Sequence, residues 1–138
     1  MEFSRRETLA LGLGAAALTV LPMRVSAAAD DAISAFTGGA DVAASGVTLD
    51  APEIAENGNT VPVSVSAPGA VSILVLAMGN PTPGVAQFNF GSASGEQAAS
   101  TRIRLAGTQD VVAVAKMADG SFAQATSTVK VTIGGCGG

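Results

Sequence analysis

From residue 47 onward the chain is a series of short runs in which apolar and polar positions alternate, separated by glycine, proline and asparagine. Alternation with a period of two puts successive side chains on opposite faces of a strand. In TVPVSVS (60–66), Val61, Val63 and Val65 share one face and Pro62 lies on the other. Proline removes a ladder donor, so this strand is expected at a sheet edge or a bulge. In STRIRLA (100–106), Thr101, Ile103 and Leu105 oppose Arg102 and Arg104. Near the end, Val129, Val131 and Ile133 alternate with Lys130 and Thr132. Further β-rich runs span 47–50, 71–78, 85–90 and 110–117, and Asp119-Gly120 marks a hairpin. About seven short strands with regular turn signals predict an all-β, immunoglobulin-like β-sandwich. Before them, Asp30 to Phe36 reads as one short helix closed by Gly38-Gly39.

One run departs from the alternation. Ile73, Val75 and Ala77 would line one face, and Leu74, Leu76 and Met78 the other. A sandwich strand normally buries one face and wets the other. The second face therefore needs a cover: a loop, the N-terminal helix or a partner subunit. The mature aromatics are only Phe36, Phe88, Phe90 and Phe122. Such a lean core tips the expectation toward a partner subunit.

The first residues follow a different rule. Arg5-Arg6 precede an apolar stretch from Leu9 to Leu21, too short to cross a bilayer, which takes roughly 20 residues. Ala27-Ala28-Ala29 offers small residues for cleavage, so residues 1–29 read as an export signal. Ser4-Arg5-Arg6 with Leu9 points to the twin-arginine type, and an ordinary secretory signal with a chance arginine pair is the other option. The expected organisation is then signal 1–29, sandwich domain 30–133 and a carrier arm 134–138.

Charge and composition remove several functions. Residues 30–138 carry four basic and nine acidic side chains, a formal charge of −5. That excludes nucleic-acid binding through phosphate neutralisation, and the mature chain offers no membrane segment. An acidic surface favours basic protein partners. The chain has no histidine, which removes Ser-His-Asp and Cys-His catalysis. One cysteine without histidine builds no tetrahedral N/S zinc site, and no cofactor site of the chain's own is expected. Glu53 and Glu56 could in principle form a carboxylate pair, but they flank an Asn-Gly turn and read as surface residues. The chain is expected not to be an enzyme.

Cys136 is what remains. It is the only cysteine, with Gly134, Gly135, Gly137 and Gly138 around it. Cysteine is usually buried, whereas these glycines pack nothing and leave the backbone free. Three residues beyond Ile133, an extended chain would carry the sulfur roughly 10 Å out. This suits an arm that offers a covalent cargo to several active sites. The nearest cation in sequence is Lys130, and the Gly138 carboxylate disfavours the thiolate. The thiol is therefore expected to be no more acidic than a free cysteine, with activation left to whatever receives it. Two other readings stay open. Cys136 could be a tail thiol or an intermolecular disulfide in a structural protein. Alternatively, Gly137-Gly138 could act as a diglycine carrier through the Gly138 carboxylate.

Several stretches carry a resemblance. They are the Arg5-Arg6 start, PEIAENGNTVPVSV (52–65), VAQFNFG (85–91), STRIRLAGTQDVVAVAKMADGSF (100–122) and the glycine-cysteine-glycine ending. Together they resemble the sulfur-carrier Y subunit family of the Sox thiosulfate-oxidising system. The resemblance implies a periplasmic carrier that pairs as a heterodimer with a smaller Z subunit and does no catalysis alone. It implies that Cys136 is the sulfur attachment site, bearing S-thiosulfonate and persulfide intermediates. It implies three transient partners: a conjugating c-type cytochrome, a dimanganese thiosulfohydrolase and a molybdenum–haem sulfane dehydrogenase, which would own the metals.

Overall fold

A computed structural model describes residues 24–133. The Arg5-Arg6 pair and the apolar stretch 9–21 lie outside the described residues. So do the arm glycines 134, 135, 137 and 138 and Cys136. The cleavage alanines 27–29 fall on the first helix, with Ala29 fully buried.

The order is α1 (Arg24–Thr37), β1 (Val42–Ala43), β2 (Thr48–Asp50), β3 (Ile54–Ala55), β4 (Val61–Ser66), β5 (Ala70–Ala77), β6 (Gly84–Asn89), β7 (Ala98–Ile103), β8 (Gln109–Met117) and β9 (Phe122–Val131). The larger sheet runs β1-β9-β8-β5-β6, with β3 also on β9, and the smaller runs β2-β4-β7. This is the expected sandwich. Its seven longer strands are those the β-rich runs mark. β1 and β3 are additions of two residues each, both parallel to β9.

The core is the layer between the sheets. Val61, Val63 and Val65 of β4 meet Ile73, Val75 and Ala77 of β5 and Val111, Ala113 and Ala115 of β8. These residues are β-branched or small, so the layer fills without large aromatics. Phe88 and Phe90 are half-buried at its margin.

The position of β4 corrects one expectation. With Pro62 it was expected at an edge or bulge, yet it is the central strand of the smaller sheet. β2 ends at Asp50, opposite Ser64, while Pro62 pairs only with Arg102 of β7. At the proline itself the strand is thus locally an edge, which tolerates the missing donor.

The outer face of β5 finds its cover within the chain. Ala32, Ile33 and Phe36 of α1, with Val42, pack on Leu74, Leu76, Met78, Val112 and Val114. Ala29, Ala32, Ile33 and Phe36 are spaced as one helical stripe. No second subunit is needed on this face. The helix begins six residues earlier than Asp30, and ends as expected: Gly38 N–H donates to Ser34 C=O at 2.8 Å, with φ of 66° at Gly38 and 83° at Gly39. Phe36 meets Phe122 edge to face, with ring centroids 5.9 Å apart. Phe36→Ala should lower stability by about 2 kcal/mol, less than the roughly 3–5 kcal/mol of a fully buried phenylalanine. Calorimetry should show a melting point about 10 °C lower, together with dye binding to the uncovered face.

Candidate functional site

The candidate site, Cys136, lies outside the described residues, and the structure leads to it from the end of β9. β9 is held along its last residues by the segment 53–58. Lys130 N–H donates to Glu53 C=O at 2.9 Å, Thr132 N–H to Ala55 C=O at 3.0 Å, and Gly58 N–H to Ile133 C=O at 2.8 Å. The Thr132 hydroxyl donates to Glu56 C=O at 3.0 Å. On the other side, Val131 N–H donates to the Thr108 hydroxyl at 2.9 Å. The backbone is therefore tied down through Ile133, one residue short of Gly134.

Those ties are themselves braced. Gly58 C=O accepts from Leu105 N–H at 2.7 Å, linking the turn at 56–59 to the loop after β7. That loop is gripped by Asn80, a side chain only 5% exposed. Its Nδ2 donates to Arg104 C=O at 2.7 Å, and its Oδ1 accepts from Ala106 N–H and from Gln109 Nε2, each at 2.9 Å. Gln109 closes the circuit by accepting from Gly79 N–H at 2.8 Å and donating to Gly107 C=O at 3.0 Å. Every buried side-chain polar atom among the described residues has a partner, so the network is complete.

Ile133 is 66% exposed, although it continues the apolar alternation of Val129 and Val131. The inner layer ends beneath it, so its side chain stands at the rim. Ile54 on β3, at 60% exposure, lies beside Lys130 at the same end of the molecule. Glu53 and Glu56 are both exposed, and each is used through its backbone carbonyl to hold β9. The structure gives them a bracing role. Among the described residues, no group of three or more His, Cys, Asp or Glu is arranged to hold a metal ion.

The expected arm lies outside the described residues, and sequence reasoning missed what fixes the backbone that leads to it. Asn57-Gly58 reads locally as a turn, and nothing nearby announces that Gly58 will bind Ile133. Asn80 reads as part of an Asn-Pro loop, although its partners lie 24–29 residues away.

A family model described as "Sulfur oxidation protein SoxY" matches residues 33–136. The matched span ends on Cys136. A search of curated proteins returns no match. Among solved structures, the sulfur carrier protein SoxY from Chlorobium limicola f thiosulfatophilum aligns with a TM-score of 0.67 and 38% identity, covering 78% of this chain and 98% of that one. A superoxide reductase (neelaredoxin) from Ignicoccus hospitalis aligns with a TM-score of 0.55 and 17% identity, covering 63% and 80%. A hypothetical protein from Pyrococcus horikoshii OT3 gives 0.53 and 14%, covering 64% and 96%. The last two share the fold alone. A family match over most of the chain agrees with a structure of 38% identity aligned along nearly its whole length: the chain belongs to the SoxY family of sulfur oxidation proteins.

Proposed function

We propose that this protein is a covalent sulfur carrier of the Sox system, holding pathway intermediates on Cys136 and presenting them to partner enzymes. The observation that carries this reading is the family match, whose span reaches the chain's one cysteine. A relative of 38% identity, itself described as a sulfur carrier, supports it. So does the root geometry: the backbone from β9 on to Ile133 is hydrogen-bonded, which gives a short arm a defined starting point.

The chemistry on Cys136 would run as follows. A c-type cytochrome complex joins the outer sulfur of thiosulfate to the Cys136 sulfur. The thiol proton is released and two electrons pass to haem, leaving cysteine S-thiosulfonate. A dimanganese thiosulfohydrolase then adds water across the bond to the terminal sulfonate, releasing sulfate and a proton and leaving a persulfide. Where a molybdenum–haem sulfane dehydrogenase operates, it oxidises the outer persulfide sulfur to a sulfonate, with water supplying the oxygens and six electrons leaving. A second hydrolysis restores the thiol. The protein supplies the nucleophile and its delivery, and the metals belong to its partners. Repeated making and breaking of S–S bonds is chemistry that a cysteine thiolate supports.

The setting is read the same way. The chain would be exported to the periplasm by the twin-arginine route and paired with a Z subunit. No helix among the described residues is long and apolar enough to cross a membrane.

Intact-mass analysis of the protein from thiosulfate-oxidising cells tests the proposal. The wild type should carry thiosulfonate or added sulfur atoms, and Cys136→Ser should carry none. Sulfur retained in Cys136→Ser on the Gly138 carboxylate would instead support the diglycine reading. A stoichiometric disulfide to another chain, with no adducts, would make the protein structural.

A further inference from the structure

The cover over the outer face of β5 begins inside the stretch that reads as an export signal. α1 starts at Arg24, whereas the sequence places the end of the signal at residue 29. The helix therefore runs through the bonds that a signal-cleaving peptidase would cut. A small residue directly before the cut is met three times, at Ala27, Ala28 and Ala29, so composition does not choose among the three bonds.

Burial does choose. Ala27 is exposed, Ala28 is half-buried and Ala29 has 0% of its surface exposed, after which Asp30 and Asp31 are exposed again. Ala29 thus opens the stripe that continues through Ala32, Ile33 and Phe36 onto the sheet. A cut after Ala29 discards a residue that the folded domain covers completely. A cut after Ala28 puts the new ammonium directly on that residue, and a charge is costly to bury. A cut after Ala27 keeps Ala29 in place and leaves Ala28 between it and the new terminus.

Access gives the same order. A peptidase needs extended backbone, so the start of α1 must unwind, and helix ends fray more readily than interiors. In a domain already folded when the cut is made, unwinding as far as Ala28 releases no fully buried residue among Ala27 to Ala29. Unwinding as far as Asp30 lifts Ala29 out of its contacts. Charge fits the same boundary. α1 as it stands has no acidic residue in its first turn. A helix beginning at Ala28 has Asp30 and Asp31 there, where carboxylates offset both the positive helix end and the new ammonium.

We propose that the export signal is cut between Ala27 and Ala28, so that the mature chain begins at Ala28 and keeps Ala29 in the fold. The step is amide hydrolysis by an endopeptidase of the export machinery that accepts small side chains before the bond. Water adds across the Ala27–Ala28 peptide bond, leaving a carboxylate on Ala27 and an ammonium on Ala28. The inference rests on the export reading above, and it moves the end of the signal from 29 to 27.

The test uses cells that make the full chain. The N-terminus of the exported protein is read by peptide mass mapping, for the wild type and for Ala27→Leu. The wild type should begin at Ala28. Leucine is too large for the position before the cut, and Ala27 is exposed, so the variant should fold and lose the Ala28 start. Exported wild type with any other first residue overturns the proposal and leaves export standing, as does Ala27→Leu that still begins at Ala28. A chain that keeps Met1 and stays in the cytoplasm overturns the export reading and the cut with it.

Discussion

Cys136→Ser is expected to reduce thiosulfate turnover in a reconstituted Sox mixture to the level seen without carrier, a fall of at least about a thousandfold. A serine hydroxyl cannot form the S–S bond on which each later step depends. The chain also has no substitute: it contains no second cysteine and no histidine to activate another nucleophile. The described core lies between Ala55 and Val129, so the substitution should not touch it. The melting point should stay within the change expected of about 0.5 kcal/mol for a surface substitution. Loss of turnover with an unchanged melting point separates a missing hook from a damaged fold.

Asn80→Ala should give the largest loss of stability among polar substitutions. The amide is buried and makes three hydrogen bonds, to Arg104 C=O, Ala106 N–H and Gln109 Nε2. Alanine leaves these groups facing a void. Each unsatisfied buried group costs roughly 1–3 kcal/mol, so a total of about 3 kcal/mol is expected. For a domain of this size that lowers the melting point by about 12–20 °C. Asn89→Ala is the control. Asn89 is exposed and accepts only a 3.2 Å bond from Gln87, so its loss should change stability by less than about 0.5 kcal/mol. Equal effects from the two substitutions would show that the Asn80 network does not brace the loops around the root of the arm.

The two asparagines also show what can be read from residues alone. Most of the longer strands are legible because they bury one face, which imprints a period of two, while β5 and β8, apolar on both faces, are legible as short β-rich runs bounded by turn residues. β1 and β3 leave no imprint, since a two-residue parallel pairing has no alternation to show. The start of α1 was obscured because Arg24 to Ala29 carries two signals at once, small residues for cleavage and good helix formers. The apolar outer face of β5 shows that something must cover it, but the lean aromatic content points to a partner where α1 provides the cover. At the site, Cys136 stands out by elimination and by its glycine neighbours. Its root does not, because Gly58, Thr108 and Asn80 act through partners distant in sequence. Hydrogen bonds of that kind depend on the completed topology.

The most direct measurement follows the sulfur itself. The protein would be loaded by its conjugating enzyme with thiosulfate carrying a heavy isotope in the outer sulfur, then digested and mapped by mass spectrometry. The account predicts the label in the peptide that ends at Gly138, attached to the Cys136 side chain and removed by a thiol reductant. Label in the terminal carboxylate, or turnover of labelled thiosulfate with no label on the peptide, would contradict it.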